Sequence, residues 1–201
     1  GQAAPATPAE ETNAHLKIAV HIRNYAQVNQ DVLEDAGQIA TRIFRKAGVV
    51  VIAVVETEET PSEVEVTLPS VSHLYVEILP RETAARLRLP ENMLGVAPGN
   101  PHEADRRRAF VFDHVADRLV RQQKEADKAE ILGHAIAHEI GHVLLSMNGH
   151  SRHGLMQANW AGKDFQRMTM GGLAFASGEA GRIRAEVRHR NLAQMALNLG
   201  R

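Results

Sequence analysis

Cysteine is absent from this 201-residue chain, which excludes disulfide bonds and thiolate metal ligands and leaves the cellular compartment open. Long apolar runs are missing too: no stretch approaches the roughly 18 residues that a membrane-spanning helix needs, so no membrane span is expected. Positive and negative side chains are nearly equal in number, 23 and 24, so neither charge is in excess. The formal net charge of −1 argues against nucleic acid as the main partner. Histidine is better supplied, with 11 residues.

The length and the apolar content allow one substantial hydrophobic core, because 44% of the 201 residues are hydrophobic. The first residues are rich in alanine, proline and glutamate, so residues 1–14 are expected to form a flexible N-terminal segment. This composition resembles the start of a mature exported chain. A secreted or periplasmic location is therefore expected, and residues 15–201 are expected to form a single domain. The oligomeric state stays open.

Hydrophobic periodicity predicts strands and helices in alternation. Strands are predicted at Leu16–Ile22, Val49–Val55, Val64–Leu68, His73–Leu79, Leu94–Ala97 and Ala109–Phe112. Helical segments are predicted at Asp31–Lys46, Arg81–Leu87 and Asp127–Met147, followed by a C-terminal helix with a buried side of Ile183, Val187, Leu192, Met195 and Leu199. This order predicts an α+β fold.

The most informative feature is the pentapeptide from His138 to His142, which reads His-Glu-Ile-Gly-His. On a helix, residues four apart point the same way, so His138 and His142 can bind one Zn²⁺ from successive turns. Glu139 lies about 100° further round, where it can contact a water at the ion as a general base. His134, one turn earlier, is interpreted as a core or supporting histidine, because ligands from three turns would spread too far along the axis.

A catalytic zinc usually takes three protein ligands, so a third is expected after the helix. His150 follows Gly149, which can adopt the left-handed conformation that ends a helix and turns the chain back. This places His150 as the main candidate. The alternatives left open are His153, Glu179 and Glu186.

The motif from His138 to Met156 resembles the metzincin clan of zinc endopeptidases. The shared features are His-Glu-x-x-His, a glycine turn, a third histidine followed by serine, and then Gly-Leu-Met. The resemblance implies that His138, His142 and His150 bind zinc, that Glu139 is the general base, and that Met156 lies in a turn beneath the metal. The alternative is that Met156 simply fills space in the hydrophobic core, a role that needs no metal.

The spacing departs from that of the family. Metzincins have glycine three residues after the second histidine and the third histidine three residues later, where this chain has Leu145 and Asn148. The third ligand therefore arrives two residues late at His150. We expect the helix to run about half a turn further and Gly149 to supply the turn.

The resemblance implies a single catalytic domain over residues 15–201, with a twisted mixed β-sheet and a long helix behind it. It implies an upper lobe of about 15–148, a lower lobe of about 149–201, and zinc at the floor of the groove between them. By the same analogy, Leu94, Gly95, Val96 and Ala97 would form an edge strand that binds an extended peptide substrate. An ordinary sheet edge is the alternative. Trp160 is either a wall of the specificity pocket or simply part of the core.

The sequence thus predicts a zinc-dependent peptidase in which a metal-activated water attacks the peptide bond and Glu139 is the general base. One alternative is a zinc-binding module of the same fold that binds a peptide or protein without cleaving it. Another is a structural-metal or metal-free α+β protein in which the motif is a coincidence.

Overall fold

The computed structural model describes residues 16–56, 68, 70–98, 107–146 and 149–199. These residues form five strands and six helices. The N-terminal segment 1–14 lies outside the described residues, as does the predicted strand Val64–Leu68 except for Leu68. In the described part of the chain, no helix combines the length and the apolar character that crossing a membrane requires.

The five strands form one mostly parallel sheet. They are β1 (Lys17–Asn24), β2 (Val50–Glu56), β3 (Ser72–Leu79), β4 (Gly95–Val96) and β5 (Arg108–Phe112), in the spatial order β2-β1-β3-β5-β4. Neighbouring strands are parallel except β4, which pairs antiparallel with β5 through Gly95 opposite Val111 and Val96 opposite Phe110. The mixed sheet predicted from the sequence is confirmed, and β4 forms one of its edges.

The six helices are α1 (Gln30–Lys46), α2 (Arg81–Arg86), α3 (Asp113–Gln122), α4 (Lys128–Leu145), α5 (Gly162–Thr169) and α6 (Ser177–Leu199). The long α1 begins where the Asn29 side chain accepts a hydrogen bond from the Asp31 backbone N–H at 2.8 Å. It crosses from β1 to β2 and buries its apolar stripe in the main core, which α4 shares. This is the long helix that the sequence predicts.

The close packing of α4 on α1 depends on Gly133. A Cβ at this position would lie 2.6 Å from the Cβ of Ile39, so any side chain here would push the two helices apart. α4 is buried almost throughout and carries the His-Glu-x-x-His motif. The fold therefore fixes the motif helix firmly between α1 and the sheet.

A smaller apolar cluster holds the edge of the sheet. Its buried members are Leu79, Ala84, Phe112 and Val115. Met93, Leu94 and Val96, in and before β4, are half-buried against this cluster. These contacts anchor β4 to the core, although the strand is only two residues long.

Three expectations about the helices are wrong or incomplete. α3 and α5 were not predicted, although Val115 and Leu119 stand at helical spacing in α3. α4 ends at Leu145 and not at Met147. In α6, Ile183 and Val187 are buried as expected. The end of the helix extends past the core, however, leaving its last apolar residues exposed: Leu192, Met195 and Leu199.

Candidate metal centre

α4 places His138 and His142 on one face of a well-anchored helix. Its first turn is capped by the Asp127 side chain, which accepts a hydrogen bond from the Glu130 N–H at 2.8 Å. The rings of His138 and His142 meet edge to face, with centroids 4.7 Å apart. Their Nε2 atoms are 3.0 Å apart, so both nitrogens point to the same region of space.

The orientation of His138 is set by the backbone of the loop below it. His138 Nδ1 lies 2.8 Å from the carbonyl oxygen of Leu155, so Nδ1–H is the donor and Nε2 keeps its lone pair. The Trp160 indole N–H donates to the same carbonyl at 3.2 Å, and its ring stands edge-on to His138. Burial lowers the pKa of His138 to about 4, and the neighbouring His142 and His150 act in the same direction. The imidazole is therefore neutral at pH 7, the form that binds metal.

His150 completes a triad with the two helical histidines. One nitrogen from each of His138, His142 and His150 lies within 4.8 Å of the other two. The His150 ring centroid is 5.4 Å from that of His138 and 4.9 Å from that of His142. Three nitrogens bound to zinc at about 2.0–2.1 Å in tetrahedral geometry would be about 3.3 Å apart. The two helical nitrogens, 3.0 Å apart, would therefore separate slightly, and the nitrogen pairs involving His150, at 4.8 Å or less, need to adjust by at most about 1.5 Å for the three to share one ion.

The other candidate ligands lie elsewhere. His134 is buried, with Nδ1 2.8 Å from the carbonyl oxygen of Glu130, and does not belong to the triad. His153 is exposed and also lies outside it. The Glu179 carboxylate accepts hydrogen bonds from Ser151 and from the Ala176 N–H, while Glu186 pairs with Arg190 at 2.7 Å. Within the described residues, His138, His142 and His150 form the single three-residue group with metal-ligand spacing.

The turn between α4 and His150 differs from the prediction. Ser146, directly after the helix, adopts the left-handed conformation with φ 49°, whereas Gly149 is outside the positive-φ region. The role expected of Gly149 is therefore taken by Ser146, and the helix stops early instead of continuing. Further along, Gly154 has φ +84° and a Cβ there would lie 3.0 Å from the Ala174 carbonyl oxygen. Glycine is needed at this second turn.

Met156 lies under the motif helix and is fully buried. The contact depends on Gly141, since a Cβ at that position would lie 2.7 Å from the Met156 sulfur and 2.8 Å from Phe175 Cε1. Met156 therefore packs against α4 at Gly141. Its role as the floor of a metal site stays a prediction.

Glu139 faces the edge strand. It is 5% exposed, and burial raises the pKa of its carboxyl to about 8 against an opposing hydrogen bond from the Ala97 backbone N–H. Its Oε1 is 4.0 Å from His138 Nε2. A Cβ on Gly95 would lie only 2.6 Å from the same oxygen, so β4 touches the carboxylate on one side. A nearby divalent cation would favour the ionised form.

A cavity of about 330 Å³ opens beside the triad. His138, Glu139 and His150 contribute polar groups to its wall. Apolar lining comes from β4 and its approach, from α3 and from α5: Met93, Leu94, Val115, Leu119 and Phe165. Trp160 also lines this cavity, so it belongs to the site as well as to the core.

No protein-family model matches the chain, and no curated protein is detectably similar to it. The interpretation of the site therefore depends on its geometry. Two contacts were not predicted from the sequence: the close approach of Gly95 to Glu139 and the hydrogen bond of His138 to the Leu155 carbonyl. Neither leaves a local pattern, because one acts by lacking a side chain and the other through its backbone.

Proposed function

We propose that this protein is a zinc-dependent peptidase. The observation that carries the proposal is the convergence of three histidine nitrogens, within 4.8 Å of one another, beside the buried carboxylate of Glu139. A partly apolar cavity adjoins these groups. A structural zinc site is usually closed by four protein ligands, whereas three ligands facing a cavity are typical of a catalytic site.

The residues present fit Zn²⁺. Three neutral imidazoles are ligands that zinc accepts, and the hydrogen bond from His138 Nδ1 to the Leu155 carbonyl orients one of them as metal-binding histidines require. Bound there, zinc would supply Lewis-acid activation of a water and of the substrate carbonyl. Met156 beneath the helix supports the resemblance to metzincins, which remains part of this proposal.

Glu139 has the environment of a general base. Its carboxylate is shielded from solvent by α4 and β4 and is held by the Ala97 N–H, so it has one defined orientation. In hydrolysis it accepts a proton from the attacking water and passes that proton to the leaving nitrogen. A base near its own pKa at working pH can do both.

The substrate would lie along β4. The sequence predicts this role for Leu94, Gly95, Val96 and Ala97, and β4 occupies one edge of the sheet beside the cavity. An extended peptide that adds to this edge presents its backbone near Glu139 and one side chain to the apolar wall. We infer a preference for an apolar side chain next to the cleaved bond.

The test is cleavage of a mixed peptide library by the zinc-loaded protein, with and without a chelator, beside Glu139→Gln and the control Glu186→Gln. Glu139→Gln should retain zinc and lose about 10²–10⁴-fold in rate, the usual contribution of a general base. Glu186→Gln makes the same chemical change at a carboxylate outside the triad and should cleave normally. Zinc and peptide binding without cleavage would indicate the non-proteolytic module, and absence of zinc binding would refute the metal site.

A further inference from the structure

His150 is the least supported of the three histidines. It is exposed and lies on the loop after α4, whereas His138 is buried in the helix and bonded to the Leu155 carbonyl. The His150 ring contacts the rings of His138 and His142. It forms no hydrogen bond with any other described residue. Its position must therefore follow from the backbone on either side of it.

The next residue, Ser151, is held at two points. Its backbone N–H donates to the Met156 carbonyl at 2.8 Å, which closes the turn that begins directly after His150. Its hydroxyl donates to Oε1 of Glu179, in the first turn of α6. Glu179 is 7% exposed, and its second oxygen accepts the Ala176 N–H at 2.7 Å. Both carboxylate oxygens are thus used, one on the loop and one on the start of α6.

α6 also forms hydrogen bonds to the C-terminal end of α4, the motif helix. Arg182 donates to the Leu145 carbonyl at 3.0 Å, and Arg190 donates to the Val143 carbonyl at 3.1 Å. These are carbonyls of the last turn, which have no partner within the helix. One helix therefore contacts both the end of the element that carries His138 and His142 and the loop that carries His150.

We propose that Glu179 is a positioning residue, which holds His150 in register with the two helical histidines by fixing Ser151. This inference rests on the proposed metal site. Glu179 touches none of the three rings, and it acts through the hydroxyl of the residue next to His150. Groups that orient metal ligands in this way commonly change metal affinity by 10–100-fold when removed.

Zinc affinity, measured by competition with a chromogenic chelator, tests the link. Ser151→Ala and Glu179→Ala should each weaken zinc binding by about 10-fold. The double variant should also lose about 10-fold rather than 100-fold, because both changes remove the same contact. Glu179→Gln should recover most of the affinity. Its carbonyl oxygen can accept the Ala176 N–H while its amide donates to the Ser151 hydroxyl.

Hydrogen exchange of the zinc-free protein gives a readout independent of activity. The amides of residues 149–157 should exchange about 10-fold faster in Ser151→Ala, and faster than in the control Arg184→Ala. Arg184 is also on α6 but bonds the Ala47 carbonyl, at 2.8 Å, away from the loop. Zinc affinity unchanged in both Ser151→Ala and Glu179→Ala would overturn the proposal while leaving the metal site intact. Failure of the unmodified protein to bind zinc would overturn the metal site and the proposal together.

Discussion

Replacing Gly95 by alanine should disable Glu139 without removing the metal ligands. The added Cβ would lie 2.6 Å from Glu139 Oε1 and 2.8 Å from its carboxyl carbon, where ordinary contacts begin at 3.4 Å. The carboxylate must therefore retreat by about 0.8 Å, or β4 must move by a similar distance. Gly95 is outside the left-handed region, so the backbone itself tolerates alanine and the contact alone causes the effect.

The expected loss follows from that displacement. A misplacement of about 1 Å at a reacting group costs about 100-fold in rate, or about 2.7 kcal/mol of transition-state stabilisation. We expect kcat/KM for a cleaved peptide to fall by about that factor. Zinc affinity should stay within about threefold of the unmodified value, because the added atom contacts Glu139 and not the three histidines.

The assay pairs peptide hydrolysis with zinc competition for Gly95→Ala and for the control Gly178→Ala. A Cβ on Gly178 meets nothing within 4 Å, so the control should keep full activity. Two outcomes would refute the reasoning. If Gly95→Ala cleaved peptides within threefold of the unmodified rate, the contact would not constrain Glu139. If Gly95→Ala lost zinc affinity in parallel with activity, β4 would also position the metal ligands.

Two further predictions concern the surroundings of the triad. Gly141→Ala should destabilise the zinc-free protein by roughly 1–3 kcal/mol in chemical denaturation, because its Cβ would overlap Met156 and Phe175; unchanged stability would mean that the floor can yield. Burial lowers the pKa of His134 from 6.5 to about 4. The folded protein therefore keeps this histidine neutral in a pH range where the unfolded chain protonates it. The contribution to stability is complete above pH 6.5 and is lost as the pH falls towards 4. His134→Gln should therefore reduce the loss of unfolding free energy between pH 6.5 and 4 by about 3 kcal/mol, and identical pH profiles would contradict it.

The elements predicted well are those with a long apolar pattern. α1 has an apolar stripe on one side, α4 is apolar and buried almost throughout, and both begin at polar caps, Asn29 and Asp127, so propensity and packing agree. The helices α3 and α5 have 10 and 8 residues, too few for periodicity to stand out. The end of α6 differs from the prediction for another reason. Its apolar spacing continues after the core has ended, and only the tertiary structure shows where burial stops.

Contacts of the site between residues close in sequence could be predicted, whereas contacts between distant residues could not. Residues four apart on a helix must share a face, so the pairing of His138 and His142 followed from spacing alone. The contact of Ser151 with Glu179 joins residues 28 apart, and the approach of Gly95 to Glu139 joins a strand to a helix. Such contacts follow from how the elements pack, which no short pattern records.

His150 comes two residues later than the third histidine of the metzincin pattern that this motif resembles. The helix does not lengthen to absorb the two additional residues, since it ends at Leu145 and Ser146 turns the chain. The difference is therefore taken up after the helix, on the way to His150. A ligand on such a loop loses the orientation that helix hydrogen bonds would supply, so its order must come from tertiary contacts. The Ser151 and Glu179 contact lies immediately after His150, where a constraint on the loop has most effect on the ring. The three nitrogens converge to 4.8 Å or less although the spacing differs from the metzincin pattern.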